Sequence, residues 1–398
     1  MSHQIEFAHA ALHSVVVANH RASCCHEVAR SSPFKSNPCA KKPGAMTSFL
    51  YPTDANTNGS PLTPDHVHAW RVSGATVVDG VIPLALIDST RSAALAEFAG
   101  TQADERNDFG SGGRFVFPSE HDDFNAITLH PRLLSAVAQL LACTVDELRL
   151  TQSDLWVKRG HDHPVDDPYD NADQRIHVDY PNHTLVHPPV WHTPEAVEVI
   201  IYMDDHRVCD GQTAVVLRNG DNDPAYPWPI VNTPGVGEFE WINNRSRAEE
   251  YLESKAPEVA QWRRDHLSAR EQRVAYDIGT VLLYRHDTWH RGTPVRADTT
   301  RVAHNLTFRK AASGWVNTLH EGWAWAMYRR RRTMERLIAT ASVEQRSVLG
   351  FPPPGSPYWS AATLDAVTQR YGPLGFDPAP YMRSTPGLSD GLPDRLRD

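Results

Sequence analysis

Arg175-Ile176-His177-Val178-Asp179 reads as a β-strand and carries the most informative pair of residues in the chain. Successive strand residues point to opposite faces, so His177 and Asp179 share one face while Val178 packs on the other. One imidazole and one carboxylate on a common face can reach a single metal ion. A third ligand must then come from a later strand laid alongside. The stretch Gly279-Thr280-Val281-Leu282-Leu283-Tyr284-Arg285-His286-Asp287-Thr288-Trp289-His290 supplies it: an apolar strand, a short polar turn, and then His290, 113 residues after His177. Two His and one carboxylate on one side of a metal, with the other side open, form the ligand set of non-haem Fe(II) oxygenases.

In a chain with 21 His, an HxD triplet alone is a weak signal. Asp287 stands three before His290, and His161-Asp162-His163 makes a rival cluster. The reading strengthens eleven residues past His290, where Arg301 opens the strand Arg301-Val302-Ala303-His304-Asn305-Leu306-Thr307-Phe308. Period two puts Arg301, Ala303, Asn305 and Thr307 on one face. A cation turned into the fold is costly unless paired. A dicarboxylate would pair it through the guanidinium fork. Arg296 is the alternative anchor, in a turn beside Pro294. Gln152 and Lys158 lie on the strand before the HxD and either face the ligand or form a polar strand surface.

Outward from these strands, residues 150–308 are mostly β. Leu150–Lys158, Val197–Asp204, Thr213–Leu217, Gly279–Arg285 and Thr300–Arg309 all read as strands. Before them, Thr63-Pro64-Asp65 caps a short helix, Ala75–Val78 is a strand, and helices follow to about Glu97 and over Pro131–Leu141. The segment 219–276 interrupts the strands. It holds five prolines and a helical stretch, Arg247–Ala269, broken at Pro257, and reads as a lid. Trp228 and Trp241 within it either close over substrate or pack on the insert itself. A long helix, Leu319–Thr340, and a Pro-rich extension end the chain. The fold class is therefore mostly β with flanking helices, α+β.

Composition narrows the partners. Lys+Arg number 39 and Asp+Glu 48, for a net charge of −9, which gives no footprint for nucleic acid or an anionic membrane. No apolar run approaches the ~20 residues of a membrane span. The five cysteines, Cys24, Cys25, Cys39, Cys143 and Cys209, are odd in number and form no CxxC, so they read as free thiols of a reducing, cytoplasmic compartment. Residues 1–45, with three of those cysteines and no periodic apolar pattern, read as a disordered leader or as sequence upstream of a start at Met46.

Taken in order, five pieces resemble the phytanoyl-CoA dioxygenase (PhyH) family of Fe(II)/2-oxoglutarate-dependent oxygenases. They are Leu62-Thr63-Pro64-Asp65 with Gly74–Pro83; His177-Val178-Asp179; Tyr202–Asp205 with Val216–Gly220; Gly279–Leu283 with Trp289-His290; and Arg301. The resemblance implies a double-stranded β-helix (jelly-roll, cupin-like) over 46–318, with 319–398 packed on it. It implies Fe(II) on His177, Asp179 and His290, 2-oxoglutarate anchored by Arg301, dioxygen as oxidant, and a small-molecule substrate hydroxylated or desaturated. The chain departs from the family two residues after the distal His, where Gly292 replaces a serine that helps hold 2-oxoglutarate; Thr293 is the candidate substitute. Two other readings stay open: a Zn-dependent hydrolase on the same three ligands, and a non-catalytic jelly-roll that binds a ligand or partner.

Overall fold

Strands with one apolar face pair first with their longest complementary neighbours, and here the long pair is 148–159 with 300–310. A computed structural model of the chain describes residues 48–100, 115, 117–162, 166–179, 193–226, 232–234, 239–240, 242–313, 333–349 and, between 351 and 383, all but 357–358, 360, 362–363, 365–366 and 369–370. Ten strands occur among them: β1 (Ser48–Leu50), β2 (Thr53–Asp54), β3 (Ala75–Asp79), β4 (Leu148–Arg159), β5 (Ala196–Tyr202), β6 (Thr213–Val215), β7 (Gln272–Val274), β8 (Val281–Arg285), β9 (His290–Gly292) and β10 (Thr300–Lys310). Six form a sheet in the order β2-β3-β8-β5-β10-β4, and four form a smaller one, β1-β7-β6-β9.

The larger sheet is antiparallel apart from the short β2–β3 pair. Val302, Leu306 and Phe308 of β10 turn outward into the main core. That core is closed by helices α1 (Pro64–Ser73), α2 (Leu84–Glu97), α3 (Asp122–Thr128) and α4 (Pro131–Leu141), which contribute Trp70, Ile87, Phe124 and Leu133 among others. Ile338, Val348 and Tyr381 join the same cluster from the C-terminal part. On β4, Leu148 and Leu150 share this face with Leu155 and Val157, although simple alternation would put the two pairs on opposite sides. A bulge opposite Thr307/Phe308 resets the phase. A second apolar cluster fills the space between the sheets: Ala75, Ile200, Leu282 and Ala303 from one, Val215 and Val274 from the other.

The N-terminal helix starts where Thr63 and Pro64 predict. The Thr63 side chain accepts from the His66 backbone, and Gly74 ends the helix at φ 93°. A Cβ on Gly74 would lie 2.8 Å from the Thr288 hydroxyl, so glycine is required there for space as well as backbone.

One expectation needs correction. Arg175–Asp179 is not a ladder strand. It makes single bridges only, Gln174 to Asn244 and His177 to His290, because its neighbour β9 is three residues long and offers no extended partner. Near its end the insert contributes β7, which pairs with both β1 and β6. Pro257 divides the expected helix into α5 (Arg245–Lys255) and α6 (Pro257–His266), as proline at a first helical position does. Of the C-terminal helix, Thr333–Thr340 lies within the described residues. Residues 1–47, Trp228, Trp241, Trp323, Trp325 and Arg329–Arg332 lie outside them. No described helix is long and apolar enough to cross a membrane.

Candidate metal centre

The HxD segment runs along the free edge of β9. His177 donates its backbone N–H to His290 and accepts one back, both at 2.9 Å; Gln174 N–H reaches the Gly292 carbonyl at 3.1 Å, and Asp179 N–H that of His286 at 3.3 Å. This pairing brings together ligands far apart in sequence. Nε2 of His177 lies 3.5 Å from Asp179 Oδ1, and Nε2 of His290 lies 3.3 Å from Asp179 Oδ2. The alternate residues Ile176, Val178 and Trp289 point away, into a third apolar cluster behind the site.

The imidazoles are held in the tautomer a metal needs. Nδ1–H of His177 donates to the Arg175 carbonyl at 2.9 Å, and Nδ1–H of His290 to the Thr288 carbonyl at 3.0 Å. Each leaves its Nε2 lone pair turned toward Asp179. Burial, then the neighbouring His290, pushes His177 down to about 4, so it is a neutral donor at neutral pH. Burial alone would raise Asp179, but the two imidazoles override it and hold the carboxyl far below the usual range. The Tyr284 hydroxyl donates to Asp179 Oδ2 at 3.3 Å. Burial, then Asp179 and Glu198, keeps Tyr284 a phenol. Two imidazole nitrogens and one carboxylate, all within 4.8 Å of one another, suit a borderline divalent ion.

The triad lines a cavity of about 380 Å³ whose walls also include Gln152, Lys158, Arg301 and Asn305. Lys158 and Arg301 are direct cross-strand neighbours on β4 and β10, each 4% exposed. Lys158 Nζ donates to the Asn171 carbonyl at 2.8 Å, and Arg301 to that of Gly211. Nε of Arg301 is buried without a partner among the described residues. Two adjacent buried basic side chains whose hydrogen bonds among the described residues go to carbonyls fit an anionic ligand. Gln152 spends its amide on Asp154 at 2.9 Å and still lines the cavity.

Gly292 explains one departure from the family pattern. A Cβ there would lie 2.8 Å from Gln174 Oε1 and 3.0 Å from Lys158 Nζ. The Lys158 ammonium therefore fills the space over residue 292. Thr293, by contrast, is misplaced as a ligand-holding residue. Its hydroxyl donates to the Gln212 carbonyl at 2.8 Å and does not line the cavity. Thr213, paired with Gly292 in register, does line the cavity, and its hydroxyl accepts from Tyr202 at 2.8 Å. Arg296 is also set aside: it pairs with Asp210 at 3.0 Å, half exposed. Gly292→Ala is expected to raise KM for a ligand held by Lys158 at least several-fold while leaving metal affinity unchanged, since the ammonium must move and the triad need not. Equal KM values in a titration of both proteins would refute that use of the space.

Glu198 and His286 were not among the candidates. Glu198 Oε1 meets His286 Nδ1, and Oε2 accepts from Thr307 at 2.6 Å. Together with Asp179 they form a second cluster that overlaps the triad. The signal was present in the sequence: an acid inside the apolar run Val197-Glu198-Val199 must find a buried partner. Tyr284 was likewise legible, two residues from Leu282 on the inward face of β8. A third cluster, Asp205, His206 and Asp277, has its carboxylates engaged by Arg207.

No protein-family model matches the chain, and no curated protein matches it. Among solved structures, the epimerase SnoN in complex with Fe3+, alpha ketoglutarate and nogalamycin RO is 15% identical over 67% of this chain and 89% of its own, at a TM-score of 0.43. The non-heme alpha ketoglutarate dependent carbocyclase SnoK from nogalamycin biosynthesis is 16% identical, covering 67% and 91%, at 0.42. EctD from S. alaskensis in its apoform is 14% identical, covering 69% and 85%, at 0.41. At such scores the likeness is no guide to chemistry, which rests on the residues of this chain.

Proposed function

We propose that this chain is an Fe(II)- and 2-oxoglutarate-dependent dioxygenase of the PhyH type. It hydroxylates or desaturates a small organic substrate and releases succinate and carbon dioxide. One observation carries the reading: a His/Asp/His triad with both Nε2 atoms turned inward shares a cavity with two buried, adjacent cations. A dicarboxylate co-substrate accounts for the triad and the cations together, whereas a hydrolytic metal site would call on the cations only for an anionic substrate. The two facing sheets support a double-stranded β-helix core.

In this reading His177, Asp179 and His290 hold the ion, which when bound supplies dioxygen activation and oxidative decarboxylation of the co-substrate. The chain's own residues do the rest. Lys158 and Arg301 take the far carboxylate of 2-oxoglutarate and so set its direction. Gly292 and Thr213 line the cavity beside that end, and the missing Cβ at 292 leaves room for the Lys158 ammonium. Tyr284, a donor to Asp179, fixes the carboxylate's rotamer. Substrate lies against Gln152, Glu198 and Asn305. Burial of the triad and both cations keeps bulk water from the reacting atoms. The cavity volume falls in the range of small-ligand pockets, roughly 300–1,000 Å³, which suits a co-substrate and a small substrate. Cys143 and Cys209, both free thiols, are in keeping with a cytoplasmic setting. Neither nucleic acid nor a membrane has a role.

The test is reconstitution without oxygen. Protein loaded with Fe(II) is expected to bind 2-oxoglutarate and, on admitting air, to form succinate; protein loaded with Zn(II) forms none. Hydrolytic turnover with Zn(II), and no 2-oxoglutarate binding with Fe(II), would overturn the proposal in favour of the hydrolase.

A further inference from the structure

The described part of the insert grips the metal-ligand segments from behind. Arg263 on α6 is 7% exposed. Its Nη2 donates to the Ile176 carbonyl at 2.6 Å and its Nη1 to the Asn232 carbonyl at 2.7 Å. The Ile176 carbonyl and the His177 N–H belong to one peptide plane. That plane is therefore held at both ends, by Arg263 on one side and by the 2.9 Å bond to His290 on the other. The next peptide is held as well, the His177 carbonyl accepting from the His290 N–H at 2.9 Å; with the planar units on both sides of its Cα held, the direction in which the His177 side chain leaves the backbone is fixed. A segment with only single bridges has no ladder to do this.

The same insert holds the other ligand's neighbour. Trp289 Nε1–H donates to the Ala225 carbonyl at 2.6 Å, and the Arg263 guanidinium sits 5.5 Å from the Trp289 ring centroid. Arg175, two residues before His177, is tied to the insert through Asn243 at 2.8 Å and the Pro234 carbonyl at 3.1 Å.

We propose that Arg263 is a positioning residue for the metal ion: it acts through the 176–177 peptide, and the α5–α6 insert serves as the backing of the metal site. This inference rests on the metal reading of the triad. The experiment titrates metal-free, full-length protein with Co(II) and records thermal melting of the same samples. Arg263→Met keeps the apolar stem and removes both donors. It is expected to weaken Co(II) binding about 10–100-fold, the usual effect of losing an outer partner. Arg263→Lys restores part of the loss, since an ammonium reaches one of the two carbonyls. Leu252→Ala, a buried change on α5 that removes no hydrogen bond to residues 174–179, lowers the melting temperature and leaves Co(II) affinity within about twofold.

Wild-type Co(II) affinity in Arg263→Met would overturn the proposal, as would equal losses of affinity in Arg263→Met and Leu252→Ala. If Arg263→Met does not fold, Arg263→Lys decides: weaker binding supports the proposal and unchanged binding refutes it. Failure of the metal reading looks different, because wild type then binds Co(II) no better than His177→Ala.

Discussion

Replacing Asp179 by alanine abolishes metal-dependent stabilisation and 2-oxoglutarate turnover. Its carboxylate is the only anionic member of the triad, and its two oxygens face the two imidazoles at 3.5 and 3.3 Å. Without it, a divalent ion would sit in a buried site against two imidazole nitrogens, with no carboxylate ligand in the triad to offset its charge or the loss of its hydration. The loss of affinity must exceed the ~10–100-fold that outer partners contribute. Melting curves give a direct readout. A ligand bound only by the folded chain adds about 2.7 kcal/mol at a hundred times its Kd, and in Asp179→Ala that increment is expected to vanish. The metal-free variant is expected to lose some stability near neutral pH, because a carboxyl held below its usual range favours the folded state while it is ionised. A metal-induced shift that survives in Asp179→Ala would place the ion elsewhere.

The second large effect concerns the cationic end of the cavity. Lys158→Met or Arg301→Met is expected to raise KM for 2-oxoglutarate on the order of 100-fold, because truncating one partner of a buried charge pair costs about 2–5 kcal/mol. Metal affinity should not change in either variant. Lys158 adds a pH signature. Burial first, and Arg301 beside it second, push the ammonium down from 10.5 to about 7. The unfolded chain keeps its proton up to the ordinary value. Between about 7 and 10.5, then, the unfolded state binds more protons than the folded one, and the ligand-free protein gains stability as pH rises, by up to ~1.4 kcal/mol per unit. Below 7 the folded state carries the full penalty of the buried charge. Co-substrate binding runs the other way. It needs the ammonium, so KM for 2-oxoglutarate climbs above pH 7 by up to about tenfold per unit. In Lys158→Met both slopes should flatten. Identical pH profiles for wild type and Lys158→Met would remove Lys158 from the site.

Most of the strand series was legible because it rests on a local property. Runs rich in β-branched and other apolar residues along 148–159, 196–202, 281–285 and 300–310 mark a strand wherever its partner lies. The triad was legible for the same reason on one side: His177 and Asp179 are two residues apart, and an extended backbone turns them to one face. The misread elements have equally local causes. Arg175–Asp179 carries strand-like sequence, yet pairing needs a neighbour of matching length, and β9 has three residues. Thr293 stands one residue past the inward-facing Gly292, so the period that turns Gly292 into the cavity turns Thr293 out of it. The bulge in β4 reverses which residues face the main core, and nothing in the local pattern announces it.

By itself, then, the sequence determined the α+β class, the HxD pair, and the charged faces of the strands that carry Lys158 and Arg301, because backbone periodicity decides which side chains share a face. Only the tertiary structure decided that His290, among 21 His, is the one laid against His177. It alone set Lys158 over Gly292, gave Glu198 its partners His286 and Thr307, and laid the Arg263 guanidinium against the Ile176 carbonyl. Each of these depends on register between segments tens to hundreds of residues apart. Register is settled by the packing of whole sheets, since a slip of one residue would exchange every inward side chain for its outward neighbour.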